Sequence, residues 1–356
     1  MTFSGVLVVG TFLSESGRNA SYCEELATRL EGTGLRVTRT SPQVGRIPRL
    51  VDMLATALRR RADYDVAHVD VFSGAAFVWA ELVCFELRRL RKPYVLTLHG
   101  GNLPGFAARW PTRVRHLLAS AAVVTAPSRY LGEQMAAYRR DLVVLPNAID
   151  LRAYKFQHRE RPAPRLVWVR ALHSIYNPVL AVDVLAQLVA HSPGATLVMV
   201  GPEKGDGSKQ AVEDRARALG VSERVELVGG VARSEVAAHL ARADILLNTT
   251  NVDNTPLSVL EALACGLVVV STNAGGLPYL LSHQREALLV PRRDASAMTA
   301  AVRRVLEEPG LAGRLSRGGR ALAEACDWSV VLDQWIGTLA GASVAGAGGR
   351  GRGTDE

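Results

Sequence analysis

The sequence predicts an α/β fold of two Rossmann-like, doubly wound domains. Three observations carry this expectation. At 356 residues the chain exceeds the size at which one hydrophobic core keeps growing, so two domains of roughly 150 to 180 residues are expected. Apolar residues make up 48% of it and aromatic residues only 6%, which suits short Val- and Leu-rich strands under Ala-rich helices better than a sandwich or barrel. Strand-length apolar runs alternate with helical patterns along nearly the whole chain, and that alternation implies parallel sheets covered on both faces.

The first domain is expected over residues 1–156. It opens with the run VLVV from Val6, a Gly- and Ser-rich loop, the helical pattern SYCEELATRLEGTG and a second run, LRVTRT, which together make one strand, loop, helix, strand unit. The rhythm continues through YDVAHVDVF, a helix around AFVWAELVCFELRRL, the strand PYVLTLHGG, the helix TRVRHLLASA and the short strands AVVTAPS and DLVVLPNAID. The polar, Pro-containing segment QHRERPAPR, residues 157–165, reads as the interdomain linker. A second alternating domain, 166–326, follows through LVWVRAL, ATLVMVGP, RVELVGGV, DILLNTT, LVVVSTNAGG and ALLVPRRD, with helices between them. Residues 327–340, DWSVVLDQWIGTLA, present an apolar stripe of Trp328, Val331, Leu332 and Trp335 that needs a partner surface, and are expected to return to the first domain. The Gly- and Arg-rich end, 341–356, is expected to be disordered.

The formal charge of +8 fits a polyanion, an anionic membrane surface or a phosphorylated substrate, and charge alone does not choose among them. No aromatic-interleaved basic stripe is present, so no nucleic-acid partner is expected. Most of the arginines read as solvated helix faces. The basic helix RIPRLVDMLATALRRR is the segment suited to contact a lipid phosphate or a membrane. Cys23, Cys84, Cys265 and Cys326 lie far apart with no CxxC pair, which indicates neither a zinc site nor a disulfide framework but buried thiols in a reducing compartment. The N-terminus has no basic region and no small-residue cleavage site, and no run reaches the roughly 18 apolar residues of a membrane span. A cytoplasmic protein, soluble or peripheral at the inner face of the membrane, is therefore expected.

The stretch NTTNVDNTPLSVLEALACG, residues 248–266, is the most informative for chemistry. Pro256 suits the first position of a helix, where its missing N–H costs nothing, and Thr255 suits the N-cap. The next amides, at Leu257 and Ser258, then face the carboxyl edge of the sheet, where a helix N-terminus attracts a diphosphate; with Asn254 they form the expected donor-binding end. Asp253 in the loop and Glu261 inside the helix are acceptors for the hydroxyl donors of a nucleotide sugar, one near the sugar and one near the ribose. Taken alone, the two acids read equally well as a turn former and an exposed helix residue.

They do not stand alone. DNTPLSVLEALACG resembles the signature of glycosyltransferase family 4, the retaining enzymes of the GT-B fold: Glu, seven residues, Glu, then Ala-Leu, Ala, Cys, Gly, with Asp253 here in the place of the first Glu. The resemblance continues through VVSTNAGGLPYLL with its Gly-Gly-x-Pro turn, through ALLVPRRDASAM, and through VELVGGV, LPNAID and VLTLHGG, so it spans nearly the whole chain. It implies that His99 lies close to the donor sugar, that Arg170 pairs with the leaving diphosphate, and that Asp253 and Glu261 are the paired acids, with Gly229 of VELVGGV among the donor contacts. The Lys that the family commonly carries a few residues after the Arg is missing from RALHSIYNP; His173, Tyr176, Asn177 or Lys204 are the available replacements. Gly17, in the loop GTFLSESGRN, is the best candidate contact from the opposite wall, although that loop has neither GxGxxG nor a P-loop pattern. Asp63 and Asp65 form a DxD pair of the kind metal-dependent sugar transferases use, but DYD leads straight into a strand and reads as a loop, so no metal and no cofactor beyond the donor are expected.

The implied reaction is transfer of a sugar from a nucleotide-diphosphate sugar to a hydroxyl of a saccharide, lipid-linked or small-molecule acceptor, with retained anomeric configuration. Electrostatic stabilisation of the departing diphosphate is the protein's main task in such a reaction. A GT-B-fold epimerase or hydrolase would use the same donor cleft, and a non-catalytic sugar-nucleotide-binding protein is the remaining alternative. A dinucleotide dehydrogenase is disfavoured because neither domain has its glycine fingerprint.

Overall fold

The computed structural model describes residues 3–14, 21–100 and 102–348. They form two all-parallel six-stranded sheets with helices on both faces, which is the α/β architecture expected. In the first, β1 (Gly5–Val9), β2 (Arg36–Thr40), β3 (Val66–Val71), β4 (Tyr94–Leu98), β5 (Val123–Ala126) and β6 (Leu142–Val144) stand in the order β2-β1-β3-β4-β5-β6. In the second, β7 (Arg165–Val169), β8 (Thr196–Val200), β9 (Val225–Gly229), β10 (Ile245–Asn248), β11 (Val268–Thr272) and β12 (Ala287–Val290) stand in the order β12-β11-β10-β7-β8-β9. The central strands are near-continuous apolar runs such as GVLVV and VVVST with every residue buried, as a sheet covered on both faces requires.

The chain divides into two compact units, one holding residues up to Asn147 together with the helix Trp328–Gly348, the other running from Ala148 to Asp327. That division differs from the boundaries read from the sequence. Residues 148–165 are part of the second unit rather than the end of the first and a free linker. The reason is a buried polar knot: Arg159, only 3% exposed, donates to Asp244 Oδ1 at 3.0 Å and to the carbonyls of Cys265 and Ala243 at 3.2 and 2.8 Å. A polar segment whose buried guanidinium finds buried acceptors packs as tightly as an apolar one.

The C-terminal helix extends further than expected. Trp328–Gly348 is one helix, so the segment read as a disordered tail begins helical; residues 349–356 lie outside the described residues. It packs on β3, β4 and the helix Tyr22–Glu31, and its Trp328, Val331, Trp335 and Leu339 are all buried. Asp65 accepts the amides of Ser4 and Gly5 at 2.7 and 3.2 Å, and Asp63 faces Arg60 at 3.3 Å, so both acids of DYD brace the turn into β3.

Candidate active site

In the second sheet the strand order reverses between β7 and β10, and ligands of doubly wound sheets bind in the crevice outside the carboxyl ends of the strands at such a point. Arg170 follows β7 directly, and the loop from Thr249 to Asp253 follows β10. The sheet topology therefore joins residues 83 positions apart: Arg170 Nη2 donates to Asp253 Oδ2 at 2.6 Å. The guanidinium lies over the Tyr176 ring, 4.5 Å from its centroid. Tyr176 is itself anchored, because its carbonyl accepts the Thr249 hydroxyl at 2.8 Å and that hydroxyl accepts Trp168 Nε1 at 2.8 Å. Arg170 is thus aimed by a stack below and a carboxylate beside it, while its Nε is buried without a hydrogen-bond partner. Burial pushes the Asp253 carboxyl above the usual carboxylate range, and Arg170 and the Asn254 amide, donating at 2.8 Å, work against that rise.

The Gly-Gly turn holds this loop from beneath. Gly275 has φ +55, and a Cβ there would stand 2.1 Å from the Asp253 carbonyl oxygen; a Cβ on Gly276 would stand 2.1 Å from that of Asn254. The Gly276 amide donates to the Asp253 carbonyl at 2.9 Å. Only glycine permits both the positive φ and the close approach.

The helix after this loop spans Leu257–Ala264, one residue later than read from the sequence. Pro256 takes φ −70 and ψ 123 and is itself the N-cap, with no side chain capping the end, so Thr255 lies one position outside and is buried. The extended ψ is what displaces the start, while the Pro256 carbonyl still accepts the Val259 amide at 3.2 Å. The amides of Leu257 and Ser258 remain the first of the helix, at its positive end. Glu261 is not an exposed helix residue: it is 6% exposed, accepts the Tyr154 hydroxyl at 2.9 Å and faces Arg233 at 3.6 Å. Gly229 ends β9 at φ +82, and its carbonyl accepts the Gly201 amide at 2.8 Å.

The replacements for the missing Lys separate here. Tyr176 stacks on Arg170, Asn177 takes a left-handed φ of 47 to turn the chain into the next helix, and the Lys204 amide donates to Leu172 at 3.2 Å. His173 Nδ1 accepts the Ile175 amide at 3.1 Å. Two cations that sequence reasoning passed over also border the loop: Arg292 reaches the Asn251 carbonyl at 3.3 Å and Arg293 the Asn251 side chain at 3.2 Å. Their place in the PRRD segment after a buried strand was the available signal.

In the first unit the order reverses between β1 and β3. A cavity of about 260 Å³ opens there, lined among others by Gly10, Thr11, Arg49, Met53, Asp70 and Trp79. His99, just beyond β4, holds its Nε2 2.8 Å from Asp70 Oδ1 and stacks on Phe72 at 4.8 Å. Burial alone would raise Asp70, but the charge and hydrogen bond of His99 hold it below the ordinary carboxylate value. Asp70 and its neighbour His68 were missed, although two polar residues at alternate positions of an otherwise apolar strand, VAHVDV, mark one polar face in a buried sheet. Gly17, and Glu15 of the same loop, the first-domain carboxylate that the sequence offers as the base of an inverting reaction, lie outside the described residues.

His68 is fully buried, with Nε2 2.8 Å from the Thr97 hydroxyl and the Trp335 ring edge-on at 5.1 Å. Burial lowers its pKa to about 4. The unfolded chain takes up this proton below about pH 6.5, whereas the folded one does so only near 4. Acidification between those values therefore favours unfolding, by on the order of 3 kcal/mol in full. The melting temperature is expected to fall across that window and His68→Gln to flatten the fall; an equal slope in the variant would refute the assignment.

Two family models match the chain: glycosyltransferase family 4 over residues 11–153 and glycosyl transferases group 1 over residues 163–308. The glycogen synthase of Mycobacterium tuberculosis is 31% identical over 195 residues, an alignment covering 54% of this chain and 46% of that protein, so less than half the relative's length is matched. A GDP-mannose-dependent alpha-(1-6)-phosphatidylinositol monomannoside mannosyltransferase of Mycolicibacterium smegmatis is 27% identical, covering 90% of this chain and 86% of its own. Among solved structures, Anabaena Alr3699/HepE in complex with UDP and glucose superposes with a TM-score of 0.72 at 18% identity, covering 94% of this chain and 99% of that one.

Proposed function

Because the chain belongs to the group 1, family 4 glycosyltransferases of GT-B fold, we propose that it transfers a hexose from a nucleotide-diphosphate sugar to an acceptor hydroxyl with retained anomeric configuration. The observation that carries this reading is Arg170, held at the switch point by Asp253 and Tyr176, with Asp253 in the loop that leads into the helix Leu257–Ala264. One cation and several aligned amides at one point suit a diphosphate that gains charge as its bond to the sugar breaks. In this reading Leu257 and Ser258 give amides to the diphosphate, Asp253 and Asn254 face the sugar, and Glu261 serves the nucleoside end. His99, oriented by Asp70 within the first unit, keeps the role that the family resemblance implies for it, and the leaving phosphate takes the proton of the incoming hydroxyl. No resident metal is assigned a part.

The test is a thermal-shift screen against nucleotide sugars that includes GDP-mannose and UDP-glucose, since a ligand bound only by the folded state raises its stability by about 2.7 kcal/mol at a hundred times Kd. The responding donor is then turned over with acceptor extracts and the product anomer read by NMR. An α-linked donor is expected to yield an α-glycoside, with chelator without effect. Inversion would overturn the reading and make Glu15 the first candidate for the general base that an inverting enzyme needs.

A further inference from the structure

The helices Arg46–Arg59 and Ala75–Arg89 connect β2 to β3 and β3 to β4, two crossovers in the same direction across one parallel sheet. Right-handed connection puts both on one face of the sheet, and they pack against each other. Each turns one stripe inward: Met53 and Ala57 from the first, Phe77, Ala80, Val83 and Leu87 from the second, all buried. Each also carries a second apolar stripe pointing the other way. Ile47, Val51 and Leu58 are exposed at spacings of four and seven, and Val78, Leu82 and Phe85 at four and three, so each set lies along one side of its helix. Ile47 is 77% exposed and Phe85 54%. A helix whose core side is already satisfied has no need of a second apolar stripe, and scattered exposure does not produce the same register on two adjacent helices.

What borders the stripes is basic. Both helices run the same way, so Arg59, Arg60 and Arg61 at the end of one and Arg88, Arg89 and Arg91 at the end of the other share one edge, all exposed. Asp63 faces Arg60 at 3.3 Å and Glu86 faces Arg89 at 3.6 Å, but Arg59, Arg61 and Arg91 have no acidic partner among the described residues. We propose that this face docks the first unit on a bilayer surface containing anionic lipid, the two stripes entering the headgroup boundary and the arginine edge pairing with lipid phosphates. A protein partner would require a surface of complementary shape; an anionic bilayer requires only an apolar stripe with cations beside it, which is what is present. No helix among the described residues is long and apolar enough to cross a membrane.

The proposal is tested with the full chain by co-sedimentation with vesicles of phosphatidylcholine alone and of phosphatidylcholine with phosphatidylglycerol. Expected is binding to the anionic vesicles only, weakened by salt as the Debye length contracts from about 10 Å at 0.1 M. The combined variant I47S/L82S/F85S is expected to lose at least tenfold in vesicle affinity at unchanged melting temperature, because all three side chains are solvent-exposed, and R59Q/R60Q/R61Q to lose the preference for phosphatidylglycerol. A wild-type chain that stays in the supernatant with both vesicles overturns the proposal, as does a folded serine variant that binds as well as wild type. Concentration-dependent self-association abolished by the serine variant, without vesicle binding, would assign the face to a second copy instead. Each readout is independent of sugar transfer, so its failure leaves the enzymatic reading untouched.

Discussion

Arg170→Ala is expected to lower turnover by roughly a hundredfold or more while leaving the fold intact. The loss is placed in the chemical step because the guanidinium meets the diphosphate most strongly when the glycosidic bond is breaking and the leaving group carries its largest charge. Removal of one such electrostatic group typically costs about 3 kcal/mol of barrier. The fold survives because Arg170 sits at a strand end with its side chain 26% exposed, outside the apolar clusters of the second unit. Asp253 then loses the cation that opposes its burial and is driven further toward the neutral acid. Arg170→Lys keeps the charge but not the planar fork that reaches Asp253 while stacking on Tyr176, and an intermediate rate is expected. The decisive comparison is kcat against KM with a saturating donor: a variant with near-normal kcat would move the leaving-group charge to Arg292, Arg293 or Lys204.

Much of this site was legible because its parts carry local signals. The helix start after Asn254 is written in Thr-Pro, the sharp turn in Gly275 and Gly276, and the family signature runs through both. What the sequence could not convey was contact at long separation. That Arg170 and Asp253 form one ion pair depends on β7 and β10 being neighbours, a fact of sheet order rather than of either motif. The misplaced helix start is a matter of one ψ angle at Pro256, which lies within the ordinary uncertainty of helix ends. The linker error has a different origin. QHRERPAPR is polar and Pro-containing, and polarity normally marks surface, but Arg159 finds Asp244, Ala243 and Cys265 waiting in the fold, and no local pattern announces a partner 85 residues away. The burial of Glu261 was not legible for the same reason, since it comes from Tyr154 and Arg233, which no helical periodicity connects to it.

Trp335→Ala is expected to destabilise the first unit by about 3 to 5 kcal/mol, the range for deleting a large buried side chain whose site collapses only partly. The helix Trp328–Gly348 reaches the first unit after the whole second unit has intervened in sequence, and Trp335, 1% exposed, is its largest fully buried side chain. Its ring meets His68 edge-on at 5.1 Å and its Nε1 donates to the Tyr22 hydroxyl at 3.1 Å, so truncation removes a ring contact and a hydrogen bond together with the apolar volume. Trp328 cannot compensate, because it is committed one turn and more away, stacked on Tyr22 at 5.3 Å and donating to Glu25 at 2.7 Å. For a unit of this size the cost corresponds to a drop in melting temperature on the order of ten degrees. Arg170, Asp253 and the helix Leu257–Ala264 lie in the other unit, so binding of the donor's nucleotide, measured by calorimetry well below the transition, is expected to persist. A Trp335→Ala chain that melts within about two degrees of wild type would show that the C-terminal helix decorates the first unit rather than completing its core.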